Sequence, residues 1–206
     1  MILRSFAAAL ALFAAAPSAA QQPAPVPAAP AVAEDLVRVA IETSMGRIVL
    51  ALDRGRAPRS TANFLKYVDG KRFDGEPFYR SVKDEGSGFI QGGIRSDSRK
   101  LFPPVEHEPT SKTGLKNVAG SIALARLEPG SAQADFFILT TDIPGFDAGG
   151  YGGDEHGFAV FGRVVEGMDV VNKIHASPVS PTKGEGVMQG QLLDPEIKIV
   201  KAQRLE

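Results

Sequence analysis

LVRVAIETSMGRIVLALD, Leu36 to Asp53, is the stretch from which the fold is read. Leu36, Val37, Val39 and Ile41 form an apolar run, Thr43-Ser44-Met45-Gly46 breaks it, and Ile48, Leu50 and Leu52 resume the alternation. A period of two places one set of side chains on a buried face, so the stretch is a β-hairpin. Beyond Pro58 the period changes: Thr61, Phe64, Leu65 and Val68 stand at i, i+3, i+4 and i+7, with Gly70 placed to end the run. That spacing predicts a short amphipathic helix. Further strands are expected at Phe78 to Val82, Phe89 to Gly92, Ser121 to Ala125, Asp135 to Thr140, Phe158 to Val165 and Glu196 to Lys201. All are short and bounded by Gly, Pro, Asp or Ser. A second helix is expected at about Met168 to His175, where Val170, Val171 and Ile174 cluster on one side. The class is mostly β, and the count fits a closed eight-stranded antiparallel barrel capped by two α-helices, because closure removes strand edges open to other chains.

The segment before the hairpin is of another kind. MILRSFAAALALFAAAPSAA opens with one positive charge, runs apolar from Phe6 to Ala16 and ends on small residues before Gln21. This is the pattern of a secretory signal peptide, with an apolar core too short to span a bilayer comfortably. QQPAPVPAAPAVAE, 21–34, is rich in Pro and Ala, favours extended conformers and offers little to pack. The expected organisation is a signal peptide over 1–20, a flexible segment over 21–34 and one globular domain over 35–206.

Composition removes several classes of function. Net charge is -1 with both signs mixed along the chain, so no basic field points to nucleic acid or an anionic membrane. There is no cysteine, hence no disulfide, thiolate nucleophile or zinc-thiolate site. His107, His156 and His175 have no short spacing that would put two on one helix face, and no metal is expected. Ser87 lies in E-G-S-G-F, which lacks the outer glycines of a hydrolase elbow. PTKGEG lacks the spacing and the trailing Lys-Ser/Thr pair of a phosphate loop.

PFYRSVKDEGSGFIQGG, Pro77 to Gly93, poses the chemical question, since an arginine in an apolar strand is ordinarily a solvated residue or half of an ion pair. Around Arg80 recur Phe78, Phe89 and Gln91, then Ile122 and Leu124, then Phe136-Phe137, then Phe158 to Gly162. Adjacent strand residues face opposite ways, so one of Phe136 and Phe137 belongs to the core and the other is free to line a surface.

The order and spelling of these segments resemble the cyclophilin family of peptidyl-prolyl cis-trans isomerases. The resemblance runs from about Val37 to Ala202 through APRSTANFLKYV, FYR, IQGG, GSIALAR, SAQADFFI and FAVFGRVVEGMDVV, and looks most like the bacterial periplasmic branch. It implies a cyclophilin-like barrel that needs no cofactor and acts, most simply as a monomer, on proline-containing polypeptides in the periplasm. Arg80 matches the family's catalytic arginine, Gln91 its carbonyl-holding glutamine, and Leu124 and Phe137 the walls of its proline pocket. The sequence departs from the pattern in several places. The stretch between Arg80 and Gln91 is three residues longer, and Phe89 falls one step after the family aromatic. Tyr79 replaces a histidine, Asp135 a glutamine, Arg126 an asparagine and Phe158 a histidine; the family tryptophan is missing, with Phe146 in its vicinity. Phe89, Asp135, Arg126, Phe146 and Phe158 complete the implied substrate-binding set. A non-catalytic module or chaperone that holds proline peptides in the same groove is the alternative.

Overall fold

The computed structural model describes residues 35–95, 97–151 and 154–206. The expected signal peptide and Pro/Ala-rich segment lie outside the described residues. The Leu36 to Asp53 hairpin forms with β1 (Leu36–Thr43) paired to β2 (Gly46–Asp53), Leu36 opposite Asp53 and Ile41 opposite Ile48. Then follow α1 (Pro58–Asp69), β3 (Pro77–Asp84), β4 (Ser87–Gly92), α2 (Thr110–Thr113), β5 (Ser121–Leu124), β6 (Phe136–Leu139), β7 (Ala159–Glu166), α3 (Met168–Ala176) and β8 (Leu192–Arg204). The eight strands close in the order β1-β2-β7-β5-β6-β4-β3-β8, each antiparallel to its neighbours.

Alternation fills the barrel. Val39, Ile41, Ile48, Leu50, Leu52, Phe78, Ile90, Ile122, Phe136, Ile138 and Phe161 form one buried cluster, joined by Phe64, Leu65 and Val68 of α1 and by Val170, Val171 and Ile174 of α3. Two differences from the sequence reading concern short or interrupted elements. The four-residue α2 is too short to show a helical period, and the strand expected at Glu196 begins at Leu192, upstream of Pro195. Among the described residues no helix is long and apolar enough to cross a membrane.

The start of α1 depends on a residue far away in sequence. Pro58 occupies the first turn, where its missing N–H costs nothing, but Ala57 at the N-cap has no side chain with which to cap. Glu108, only 2% exposed, takes that role: its carboxylate accepts from the Arg59 N–H at 3.2 Å, the Ser60 N–H at 2.8 Å and the Ser60 hydroxyl at 2.7 Å. A negative charge there also meets the positive end of the helix. Glu108→Ala is therefore expected to lower stability by about 1–3 kcal/mol, read from urea denaturation, since buried donors lose their acceptor. A loss below about 0.5 kcal/mol would contradict the capping role.

Candidate active site

Strand alternation gives three neighbouring strands a second apolar face, on the outside of the barrel. On β4, Ile90 enters the barrel while Phe89 faces the other way; on β6, Phe136 and Ile138 enter, while Phe137 and Leu139 do not. On β5, Ile122 and Leu124 enter and Ala123 is outside. This corrects the expectation for Leu124: it pairs with Phe136 and belongs to the barrel core, while Ala123, opposite Phe137, occupies the outer face. Val82, Phe89, Ala123, Phe137, Leu139, Ile143 and Val160 form the outer cluster, with Phe146 and Phe158 packed against it.

The lengthened stretch after Arg80 does not distort this face. It lies in the paired end of the β3–β4 hairpin, with Lys83 opposite Gly88 and Asp84 opposite Ser87, turning through Glu85 and Gly86 at a Gly86 φ of 75°. A register shift between Phe78 and Arg80 lets Phe78 point into the barrel while Arg80 stands opposite Gln91. Phe89, two residues before Gln91, faces the outer cluster.

Phe137 is the centre of an aromatic floor. Its ring lies 5.3 Å from Phe89, 5.2 Å from Phe158 and 5.8 Å from Phe146; Phe146 and Phe158 are themselves 4.7 Å apart. Asn117, which sequence reasoning did not single out, holds the segment that carries Phe146. Its amide donates to the Phe146 carbonyl and to Asp147, and its backbone N–H also donates to Asp147. Arg126 stands over the Phe158 ring at 5.2 Å, but its guanidinium donates to the carbonyls of Gly157 and Leu127 and to Asp154. With its side chain 3% exposed, it works as a strut under Phe158.

Polar groups edge this floor. Arg80 donates through Nε at 2.9 Å and Nη2 at 2.6 Å to Oε1 of Gln191, and through Nη1 at 3.0 Å to Oε1 of Gln91. A guanidinium has five N–H donors, so these three bonds leave two uncommitted. Burial pushes the Arg80 pKa down, yet arginine keeps its charge in proteins. Its carbon lies 5.3 Å from the Phe89 ring, so cation and floor adjoin. Gln191 precedes β8 and carries no sequence signal for this role. Gln191→Ala is expected to free the guanidinium with little change in thermal unfolding, read as a shift or broadening of the Arg80 Nε–H resonance; an unchanged resonance would contradict the restraint.

Behind Gln91 the network continues inward. Nε2 of Gln91 donates to the Tyr79 hydroxyl at 2.6 Å, and that hydroxyl donates to Oδ2 of Asp135 at 2.8 Å. Burial pushes the Asp135 pKa up, opposed by the Tyr79 hydroxyl, the Arg95 charge and the Ile94 N–H. Burial first, then the Asp135 charge, also raises the Tyr79 pKa. A cavity of about 190 Å³ elsewhere, lined by Asp53, Arg56, Leu115, Arg163 and others, shares only Val160 with the aromatic cluster's buried residues and has none of these donors. Among the described residues no group of three His, Cys, Asp or Glu is placed to hold a metal.

Comparison with known proteins gives the family and the fold. Residues 38–204 match the family model described as cyclophilin type peptidyl-prolyl cis-trans isomerase/CLD. The chain is 40% identical over 141 residues to peptidyl-prolyl cis-trans isomerase A of Dickeya dadantii, covering 66% of this chain and 70% of that protein. It is 35% identical over 140 residues to peptidyl-prolyl cis-trans isomerase B of Escherichia coli, covering 66% and 82%. A solved cyclophilin type isomerase from Cryptosporidium parvum superposes with a TM-score of 0.66 at 19% identity, covering 83% of this chain and 98% of that one, a likeness of fold.

Proposed function

The chain belongs to the cyclophilin-type peptidyl-prolyl cis-trans isomerase family, and from that premise we propose that Arg80 is its catalytic residue, acting on a proline seated over Phe137. Rotation about an X-Pro bond must break amide resonance, with a barrier of roughly 18–20 kcal/mol. In the twisted state the prolyl nitrogen recovers its lone pair and becomes a hydrogen-bond acceptor. A guanidinium N–H donated to that nitrogen gains strength only as the bond twists, which is the condition for lowering the barrier. No proton is transferred and no covalent bond is made.

The observation that carries this reading is the juxtaposition of a fixed cation, with two N–H groups still to give, and the Phe137-centred floor. The floor receives the pyrrolidine ring by apolar contact, and Gln91 gives its second Nε2–H to a substrate carbonyl. Phe89, Phe146 and Phe158 complete the apolar wall, and Arg126 supports it from behind. An apolar wall with few polar anchors makes binding weak and broad in sequence. Titration of an isotope-labelled protein with an Ala-Pro-Phe peptide tests the assignment. Shifts should centre on Arg80, Gln91, Phe137 and Phe158, and shifts centred on another face of the barrel would overturn it.

We propose further that residues 1–20 direct export, that the mature protein begins at Gln21, and that it works as a monomer on X-Pro bonds of exported or unfolded chains in the periplasm. The charged start, short apolar core and small residues before Gln21 support this. Terminal sequencing of the protein from an osmotic-shock fraction should read Gln-Gln-Pro-Ala. A chain that stays in the spheroplasts with Met1 retained would contradict it.

A further inference from the structure

We infer that Tyr79 and Asp135 are positioning residues that lock the amide of Gln91 in the one orientation that serves the substrate. The inference rests on the proposed role of Gln91, and its test is built to separate the two. Read from sequence, Tyr79 and Asp135 are two unrelated departures from a family pattern. In the folded chain they are hydrogen-bonded to each other at 2.8 Å, and the Tyr79 hydroxyl is hydrogen-bonded to Gln91 at 2.6 Å.

The directions of these bonds follow from what each group is able to give. An ionised carboxylate only accepts, so the Tyr79 hydroxyl must donate its single proton to Asp135. The phenol oxygen is then left only to accept, and Gln91 must present its NH2 there. That choice turns Oε1 of Gln91 toward Arg80, which only donates. A flipped amide would set donor against donor at Arg80 and acceptor against acceptor at Tyr79. One Nε2–H of Gln91 thus remains, fixed in direction, for a substrate carbonyl.

The surroundings hold the pair in place. Tyr79 is 2% exposed and Gln91 5% exposed. A β-carbon on Gly93 would lie 1.9 Å from Oδ1 of Asp135, so glycine at that position is what admits the carboxylate. Arg95, itself ion-paired with Glu196 at 3.7 Å, lies over the Tyr79 ring at 4.5 Å. Arg80 also acts on Tyr79, and the Tyr67 hydroxyl of α1 feels the Asp135 charge. Protonating Asp135 lets it donate to Tyr79, which frees the phenol proton and removes the constraint on Gln91.

A structural and a positioning role predict opposite things for Asp135→Asn. The folded-state pKa of Asp135 is raised by burial. Its contribution to stability is therefore full below the unfolded pKa and lost as pH rises through the folded one. Removing the charge should leave stability at neutral pH unchanged or higher, and yet slow the enzyme.

The experiment measures kcat/KM on an X-Pro peptide from pH 4 to 8 for wild type, Tyr79→Phe, Asp135→Asn, their double variant, Gln91→Ala, and Gln91→Ala with Tyr79→Phe. Urea unfolding is followed in parallel. At neutral pH Tyr79→Phe and Asp135→Asn should each lose about 3- to 10-fold, and the double variant no more than the larger single loss, because both act through one amide. Wild type should lose activity on acidification as Asp135 takes up a proton, while Asp135→Asn shows no such step. In the Gln91→Ala background Tyr79→Phe should cost nothing further. Should Tyr79→Phe unfold, Asp135→Asn with its pH profile carries the test alone. Rates within about 2-fold of wild type for both single variants, with Gln91→Ala slow, would overturn this inference and leave the role of Gln91 standing. A Gln91→Ala variant as fast as wild type would overturn both.

Discussion

Arg80→Ala is expected to lower kcat/KM by about 10²- to 10³-fold, the loss found when one donor aimed at developing charge is removed. Unfolding should change little, because Arg80 and Gln191 are only half-buried and the buried Gln91 keeps its bond to the Tyr79 hydroxyl. Arg80→Lys should recover only a small part of the rate. A lysine keeps the charge, but it cannot bond Gln191 and Gln91 in a planar fork and still direct two N–H groups outward. A lysine variant close to wild type would mean that charge alone suffices and that the fork geometry contributes nothing. Thermal unfolding of both variants separates a lost donor from a lost fold.

The two adjacent phenylalanines give the second large effect, divided between stability and binding. Phe136 is fully buried, with its ring 5.2 Å from Phe64, 5.4 Å from Phe73 and 5.6 Å from Phe78, all in the main core cluster. Phe136→Ala opens a cavity there and should lower stability by about 3–5 kcal/mol. Activity per folded molecule should stay near wild type. Phe137, 3% exposed, packs in the outer cluster against Phe89, Phe146 and Phe158, so Phe137→Ala should also cost stability, but unlike Phe136→Ala it should remove most of kcat/KM by loss of the proline seat. Urea denaturation with activity measured well below the unfolding midpoint distinguishes them. Equal stability losses together with equal activity losses would mean that the two faces are not separate.

The same alternation explains how much of the molecule was legible in its sequence. The hairpin, α1 and α3 follow from periods of 2 and 3.6 that run long enough to be seen, and eight short strands leave barrel closure as the economical arrangement. The opposed faces of Phe136 and Phe137 were legible for the same reason. Leu124 was assigned to the groove by its place in a family pattern, yet its register partner is Phe136, and a residue opposite a core phenylalanine shares its face. Ala123 then follows as the groove residue, but the pairing had to be known first. The longer hairpin looked like a disturbance because sequence shows an insertion and does not show that Lys83 and Asp84 find partners across it.

The hydrogen-bond partners were not legible. Gln191 meets Arg80 across 111 positions and Asp135 meets Tyr79 across 56, and neither pair has a spacing or composition to betray it. Such contacts are products of barrel closure, which brings β8 beside β3 and β6 beside β4. What sequence did offer was a hint in the form of two exchanges, Tyr79 and Asp135, that make chemical sense only together.

The most direct test of the account separates holding a peptide from turning its bond. Magnetization-transfer NMR on a short Ala-Pro-Phe peptide reports cis/trans exchange, and the peptide's shifts report binding, in one sample. The wild-type protein should accelerate exchange. Arg80→Ala, folded and at a concentration that produces the same peptide shifts, should leave exchange close to its uncatalysed rate. Acceleration retained without Arg80, or peptide bound by wild type with no acceleration at all, would contradict the claim that this arginine drives the rotation.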